Sequence, residues 1–253
     1  MTNQNITGKT ADTKTADTMN KQPDKAASEK AVPENTAPEN AVPERAADLF
    51  AEHPVQIIVN GRAALTIMTH AENPEHLVYG ALLTERVIES ADDIESAAYD
   101  GVQMSVVTKN PYPVLLSRKT VLAGCGGASS FLDSGTLGRV SGGDAVTDET
   151  VRAAAAEVPD TLWYSSGLFS ADGKLLCAAE DVTAQNAADQ LIGCALINGI
   201  TLSKTFAVLK GNCTVETVRK LVIGRIPVFG ICGALTAAAQ ATADDAGLRV
   251  VRI

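Results

Sequence analysis

The strongest constraint on how this chain can fold is a rhythm in its second half. Apolar runs at about 174–179, 204–209, 226–230 and 248–252 alternate with helical patterns at about 185–198, 214–223 and 234–246. Gly199, Gly224 and Gly247 stand where helix C-caps belong. Alternation of this kind predicts parallel strands joined by right-handed crossovers, hence a layered α/β domain. Ligands in such domains sit beyond the carboxyl ends of the strands, which directs attention to Glu180–Asn186, Lys210–Thr214 and Gly230–Thr236.

The first half has another pattern. Val55–Val59 and Ala63–Met68 flank Asn60-Gly61, a strong hairpin signal because both turn residues tolerate positive φ. Asn73-Pro74-Glu75 supplies an N-cap, a proline for the first helical position and an early acid, so a helix is expected to run to about Glu85. A second hairpin is expected around Asp100-Gly101, joining 94–99 to 102–108. The region reads as a mostly antiparallel sheet carrying one helix.

Residues 1–44 are rich in Thr, Asn, Lys, Asp, Glu, Ala and Pro, and they repeat Val32-Pro33-Glu34-Asn35 as Ala37-Pro38-Glu39-Asn40 and Val42-Pro43-Glu44-Arg45. A segment with so little to bury cannot offset its ordering entropy and is read as a disordered tail. The expected organisation is a tail at 1–44, a β-rich subdomain with one helix at 45–120, and an α/β domain at 121–253.

A formal charge of −9 over 253 residues argues against non-specific binding to nucleic acid or an anionic membrane. No apolar run reaches the roughly 18 residues that would read as a membrane span. The five cysteines, at 125, 177, 194, 213 and 232, form no close pairs and no apolar leader precedes them, which points to a reducing cytoplasm. Cys177 and Cys194 are read as core.

The chemistry is concentrated in a few loops. In Ala123-Gly124-Cys125-Gly126-Gly127-Ala128-Ser129-Ser130 a single thiol is wrapped by glycines, which can bring several amide N–H groups to one point and stabilise a thiolate or an anion. A tight turn with cysteine as a small apolar filler is the alternative. Glu180-Asp181 places two carboxylates at a strand end. Lys210-Gly211-Asn212 and Gly230-Ile231-Cys232-Gly233 can aim amides at an anion, although acidic caps and glycine turns are common in every α/β fold. Cys213 and Cys232 each follow a strand and precede a helix, so neighbouring strands would bring both thiols to one crevice.

Taken in order, these pieces resemble the formate dehydrogenase accessory sulfurtransferases, the FdhD family. The resemblance rests on Val59-Asn60-Gly61, on Asn73 through Glu85, on the Cys125 loop, on Gly167–Gly173, and on Glu180-Asp181-Val182 continuing through Asn186-Ala187-Ala188-Asp189-Gln190-Leu191-Ile192-Gly193. Lys210-Gly211-Asn212 stands where the family has Ser-Gly-Arg, and Gly233-Ala234-Leu235-Thr236 where it has Ser-Ala-Pro-Thr. The resemblance implies a cytoplasmic protein with a cytidine-deaminase-like α/β domain and no metal of its own. It implies that Cys125 takes persulfide sulfur from a cysteine desulfurase and passes it to the bis-molybdopterin guanine dinucleotide cofactor of formate dehydrogenase. Gly126, Gly127, Glu180, Asp181, Asn186, Lys210, Gly211 and Thr236 become the cofactor-binding candidates, and relatives suggest a homodimer.

The departures from the pattern cluster on the polar positions. Ala128 replaces the second cysteine of the family's Cys-Gly-x-Cys. Thr183, Ala184, Gln185 and Gln190 stand where the family has Gly, Arg, His and Lys, and Phe169 replaces a histidine. Each charge-assisted hydrogen bond to a pyrophosphate lost in this way is worth roughly 1.5–3 kcal/mol. The sequence also stops at Ile253, before the basic C-terminal segment of the family. Two readings therefore stay open: a persulfide carrier in which Cys213 or Cys232 replaces the missing thiol, or a degenerate relative that binds a nucleotide-like ligand or an apo-oxidoreductase without moving sulfur. A zinc deaminase is disfavoured, because His53, His70 and His76 lie far upstream and no Pro-Cys-x-x-Cys occurs.

Overall fold

The structure is a computed structural model that describes residues 51–110, 119–121 and 137–253. The expected tail at 1–44 and the loop bearing Cys125, Gly126 and Gly127 lie outside the described residues.

The first hairpin forms as expected. Strands β1 (His53–Val59) and β2 (Arg62–Thr69) are joined at Asn60 and Gly61, with φ of 51° and 74°. Alternation buries Val55, Ile57 and Val59 on one strand and Leu65, Ile67 and Thr69 on the other. Strands β3 (Ile94–Tyr99) and β4 (Gln103–Thr108) make the second hairpin, turning at Gly101 with φ 104°. With β5 (Lys119–Val121) the sheet order is β3-β4-β1-β2-β5. This sheet is mixed, since β1 runs parallel to β4 and β2 parallel to β5. The helix between the hairpins carries the chain across the sheet, which allows β4 to enter beside β1 in the same direction.

That helix, α1, spans Pro74–Thr84 and starts where the Asn-Pro-Glu signal placed it, although the Asn73 side chain makes no capping bond. It crosses α3 (Ala184–Ile197), whose N-terminus is capped by the Thr183 hydroxyl accepting from the Asn186 amide. The crossing is backbone against backbone. A Cβ on Gly80 would stand 1.8 Å from the Asp189 carbonyl oxygen, and one on Gly193 would stand 1.7 Å from that of His76.

The second sheet has the order β10-β9-β8-β6-β7, built from β6 (Tyr164–Ser170), β7 (Leu175–Asp181), β8 (Thr205–Lys210), β9 (Val228–Cys232) and β10 (Arg249–Arg252). Strands β8, β9 and β10 are parallel, as the rhythm requires. β7 does not join them. β6, which the apolar pattern does not reveal, lies between β7 and β8 and is antiparallel to both. The short turn at Ala171–Lys174, with Gly173 at φ 91°, makes β6 and β7 a hairpin and forces that direction.

Both faces of this sheet are covered. Ala207, Leu209, Phe229 and Ile231 face the larger core with α3, α4 (Val215–Ile223) and α5 (Ala237–Ala246). Phe206, Val208 and Val228 face the other way, with Phe169 and with Val151 of α2 (Asp148–Ala154), a helix the sequence reading missed. Phe169 and Phe206 stack with centroids 5.2 Å apart. Gly199 and Gly247 take left-handed φ of 65° and 73° at helix ends, as expected. Gly224 is the C-cap of α4, as expected, but its backbone stays helical and Arg225 takes the left-handed step at φ 61°.

The cysteines also depart from their reading. Cys177 of β7 and Cys194 of α3 are core residues but are joined as a disulfide, with Cα atoms 6.5 Å apart. A spacing of 17 residues conceals a strand-to-helix contact of this kind.

Candidate functional site

Alternation along β7 sends its last two acids to opposite faces of the sheet. Glu180 faces the α2 side. Its carboxylate accepts from the Thr161 amide (3.1 Å) and hydroxyl (2.6 Å), the Leu162 amide (3.3 Å) and the Ser165 hydroxyl (2.7 Å). Burial would push this carboxyl up, but the hydrogen bonds outweigh it and hold the group below the usual glutamate range.

Asp181 faces α3 and is fully buried. It accepts from the Thr69 hydroxyl, the Asn186 side-chain amide (3.0 Å), the Gln190 side-chain amide (2.8 Å) and the Val182 amide (2.7 Å). Here burial prevails over the hydrogen bonds and pushes the carboxyl up. The Asn186 amide also donates to the Met68 carbonyl at 2.8 Å, so its donors are occupied within the fold. Asp181 and Asn186, expected to touch a ligand, instead tie β2, β7 and α3 together behind the surface. For Asp181 the cause is alternation, since a strand presents only one of two consecutive side chains to a given face; Asn186 is turned inward from α3.

Glu180 and Gln190 line a cleft of about 290 Å³, with His70, Asn73, Thr161 and Leu162 around them. Of these, Gln190 entered the sequence reading only as a departure from the family pattern. Thr161 carried no signal there, because the strand that follows it was not recognised.

A second set gathers on the same face of the sheet as Glu180. In the strand register Glu180 is opposite Ser165, Ser165 opposite Lys210, and Lys210 opposite Cys232. Residues directly opposed share a face, so these four form one row across β7, β6, β8 and β9. Glu180 and Lys210, two strands apart, have backbones about 10 Å from each other. Lys210 Nζ donates to the Val158 carbonyl at 2.9 Å and lies 3.8 Å from the Asp160 carboxylate. The segment 158–162 is thereby anchored at one end by Lys210 and at the other by Glu180.

The loops after β8 and β9 are zipped to each other. The Gly211 amide donates to the Cys232 carbonyl, the Cys213 amide to Ala234, the Thr236 amide to Cys213, and the Ala234 amide to the Asn212 side chain. A Cβ on Gly233 would fall 2.1 Å from the Gly211 carbonyl oxygen. These four amides, of which Gly211 alone belongs to the two anion-binding candidate turns, are engaged within the fold. Thr236 uses its hydroxyl to cap α5 by accepting from the Ala239 amide.

The two candidate second thiols are unlike. Cys213 is fully buried, and burial pushes its thiol up to about 12. Cys232 is partly exposed; burial raises its thiol and the nearby Lys210 charge opposes the rise. Among the described residues no cluster of His, Cys, Asp and Glu could hold a metal ion, and no helix is long and apolar enough to cross a membrane.

The model of the FdhD/NarQ family matches residues 50–253, which includes every strand and helix above. The chain belongs to the FdhD/NarQ family. Proteins named sulfur carrier protein FdhD from Nocardia farcinica and Streptomyces coelicolor are each 28% identical, over 80% of this chain and 81% and 82% of their own. The FdhD of Mycobacterium tuberculosis is 28% identical over 80% of this chain and 85% of its own. In fold, the chain is similar to a crystal structure described as a formate dehydrogenase accessory protein of Desulfotalea psychrophila, with TM-score 0.58 and 21% identity over 80% of this chain and 82% of that one.

Proposed function

We propose that this FdhD-family chain is a sulfur carrier that holds persulfide sulfur on Cys125 and delivers it to the molybdopterin guanine dinucleotide cofactor of a formate dehydrogenase. The observation that carries the reading is the match over residues 50–253; the sequence resemblance sets Cys125 at the first cysteine of the family's Cys-Gly-x-Cys. The glycines around it, Gly126 and Gly127, suit a thiolate stabilised by amides. Loading needs no reductant. The Cys125 thiolate attacks the outer sulfur of a cysteine desulfurase persulfide, an S–S bond forms at Cys125, and the desulfurase thiolate leaves.

Delivery of that sulfur as sulfide takes two electrons, which a second thiol can supply by closing a disulfide with Cys125. Ala128 removes the family's own partner. Of the two free cysteines among the described residues, Cys232 is the partly exposed one and lies opposite Lys210 in the row. In this reading Cys232 supplies the electrons, while Glu180, Lys210 and the Gly211–Thr236 loops form the surface that meets the cofactor. Two copies of the chain and a cytidine-deaminase-like layering, both implied by the resemblance, belong to the same proposal.

Incubation with a cysteine desulfurase and cysteine tests it. The expected product is a protein about 32 Da heavier, lost on reduction and absent from Cys125→Ala. No mass gain in the parent protein overturns sulfur carriage.

A second reading, a degenerate member that binds a nucleotide-like ligand or an apo-oxidoreductase, is favoured by one observation. The Asp181 network is closed by Gln190, in the position where the family carries a lysine, and offers no cation to a pyrophosphate. Under that reading guanine nucleotides raise the melting temperature while no sulfur is loaded.

A further inference from the structure

Three arginines converge on a cleft at the other end of the second sheet. Arg86, Arg139 and Arg225 line a depression of about 670 Å³ together with the hydroxyl-bearing Ser141 and Ser203, and Glu89 is the one acid among the residues lining it. Ser203 precedes β8 and Arg225 precedes β9, whereas Lys210 and Cys232 end those strands. The cleft therefore lies beyond the amino ends of the strands and is separated from the Glu180–Cys232 row by the length of the sheet, about 20 Å for a six-residue strand.

Two of the three arginines stand in backbone conformations that favour glycine. Arg86 follows α1 with φ 59° and Arg225 follows α4 with φ 61°. Both sit in the turn that closes a helix. The Arg86 amide donates to Leu83 and that of Val87 to Leu82, and the Arg225 amide donates to Val222 and that of Ile226 to Leu221. Glycine is the usual residue at this step, and a Cβ there is disfavoured by about 1 kcal/mol. The third arginine is held by a different helix end, since Arg139 Nη1 donates to the Asp245 carbonyl at 3.0 Å at the close of α5.

A helix C-terminus attracts cations through its partial negative charge, which accounts for basic residues near each of these ends. It does not require a side chain at the one position where glycine fits best, nor convergence of three such ends on one concavity. Arg225 in particular makes no ion pair or side-chain hydrogen bond among the described residues, and its side chain is exposed.

We propose that this cleft binds a small phosphoanhydride-bearing anion through Arg86, Arg139 and Arg225. Guanidinium groups present paired donors that match phosphate oxygens, and Ser141 and Ser203 add hydroxyl donors at the rim. The depression is large enough for a ligand of nucleoside-phosphate size.

The test uses inorganic pyrophosphate with the full-length chain, by calorimetric titration and by thermal melting at low ionic strength. The parent protein is expected to bind with a saturable isotherm and to melt at a higher temperature in its presence. Arg225→Gly removes the guanidinium and relieves the left-handed strain, so it is expected to fold with a melting temperature at or above that of the parent. Its affinity for pyrophosphate falls at least about tenfold, the loss of one charge-assisted pair. Arg139→Gln should weaken binding by a similar factor. Absence of saturable binding by the parent, or unchanged affinity in a folded Arg225→Gly, overturns the proposal. Sulfur loading on Cys125 is read separately by mass, so either result leaves the sulfur-carrier test intact.

Discussion

Glu180 and Asp181 are chemically near-identical neighbours with opposite environments, and their protonation follows from which face of β7 each occupies. Glu180 has its carboxyl lowered, so the stability it confers is present above the usual glutamate value and is lost as pH falls through the lowered one. Glu180→Gln is accordingly expected to be less stable than the parent at neutral pH, with the difference shrinking in acid. Urea unfolding at pH 7 and at pH 3.5 measures both.

The buried pair Asp189–Lys220 offers a sharper case. Lys220 Nζ lies 2.7 Å from Asp189 Oδ2 and donates to the Thr84 hydroxyl at 2.9 Å, binding α1, α3 and α4 together. Burial lifts the Asp189 carboxyl to about 6 even though the Lys220 charge opposes the rise. Lys220→Met leaves a buried carboxylate unpaired and is expected to destabilise by about 3–5 kcal/mol at pH 8. Without the Lys220 charge to oppose burial, the carboxyl of the variant is pushed further up than about 6, so it takes up a proton and the penalty should shrink as pH falls from 8 toward 6. An unfolding series from pH 5 to pH 8 reads that slope, and a flat series would show that Asp189 is not the group responsible.

At the scale of elements, the decisive contact is the crossing of α1 and α3. Gly193→Ala places a methyl group inside the His76 carbonyl and must push the helices apart, so loss of the cooperative melt is expected, or a loss of more than about 3 kcal/mol. Gly61→Ala, with nothing within 4 Å of the added carbon, meets only the strain of φ 74° and should cost about 1 kcal/mol. Thermal melts of the two variants separate close packing from backbone strain. The disulfide belongs to this scale too. Denatured without reductant, the chain is expected to show three reactive thiols, the five cysteines less the bonded pair Cys177 and Cys194. Reduction should remove about 3 kcal/mol of stability.

Much of this architecture was legible in the residues. Asn60-Gly61 works because it fixes local dihedrals, and Pro74-Glu75 because a proline and an acid suit the first turn of a helix, neither of which needs a distant partner. The parallel trio β8–β10 was legible for a similar reason, each strand being a short apolar run bounded by turn signals. β6 was not, because Tyr-Ser-Ser-Gly-Leu-Phe-Ser is a central strand whose polar members are satisfied by neighbours far away in the chain, Ser165 by Glu180 and Ser166 by Ala179 and Ala187. The candidate site divided along the same line. Glu180, Lys210 and Cys232 were named from their strand ends, but only the strand register shows that they share one row, and only the fold shows that Asp181, Asn186 and Cys213 are interior.

For the whole molecule, the row from Glu180 to Cys232 and the arginine cleft lie at opposite ends of one rigid sheet. Cys232→Ser is expected to leave loading of Cys125 by a desulfurase unchanged and to slow release of sulfide from the loaded protein. Mass spectrometry of loading and a sulfide assay of release measure the two steps independently, and equal release by the variant would remove Cys232 from the reaction.

The alternating acids of β7 also act as an alignment key. Were the strand to slide by a single residue, Glu180 would be turned to the α3 face with none of its four donors, and Asp181 would be evicted from the pocket that satisfies it. Two adjacent carboxylates thus leave the β6–β7 hairpin a single tolerable threading.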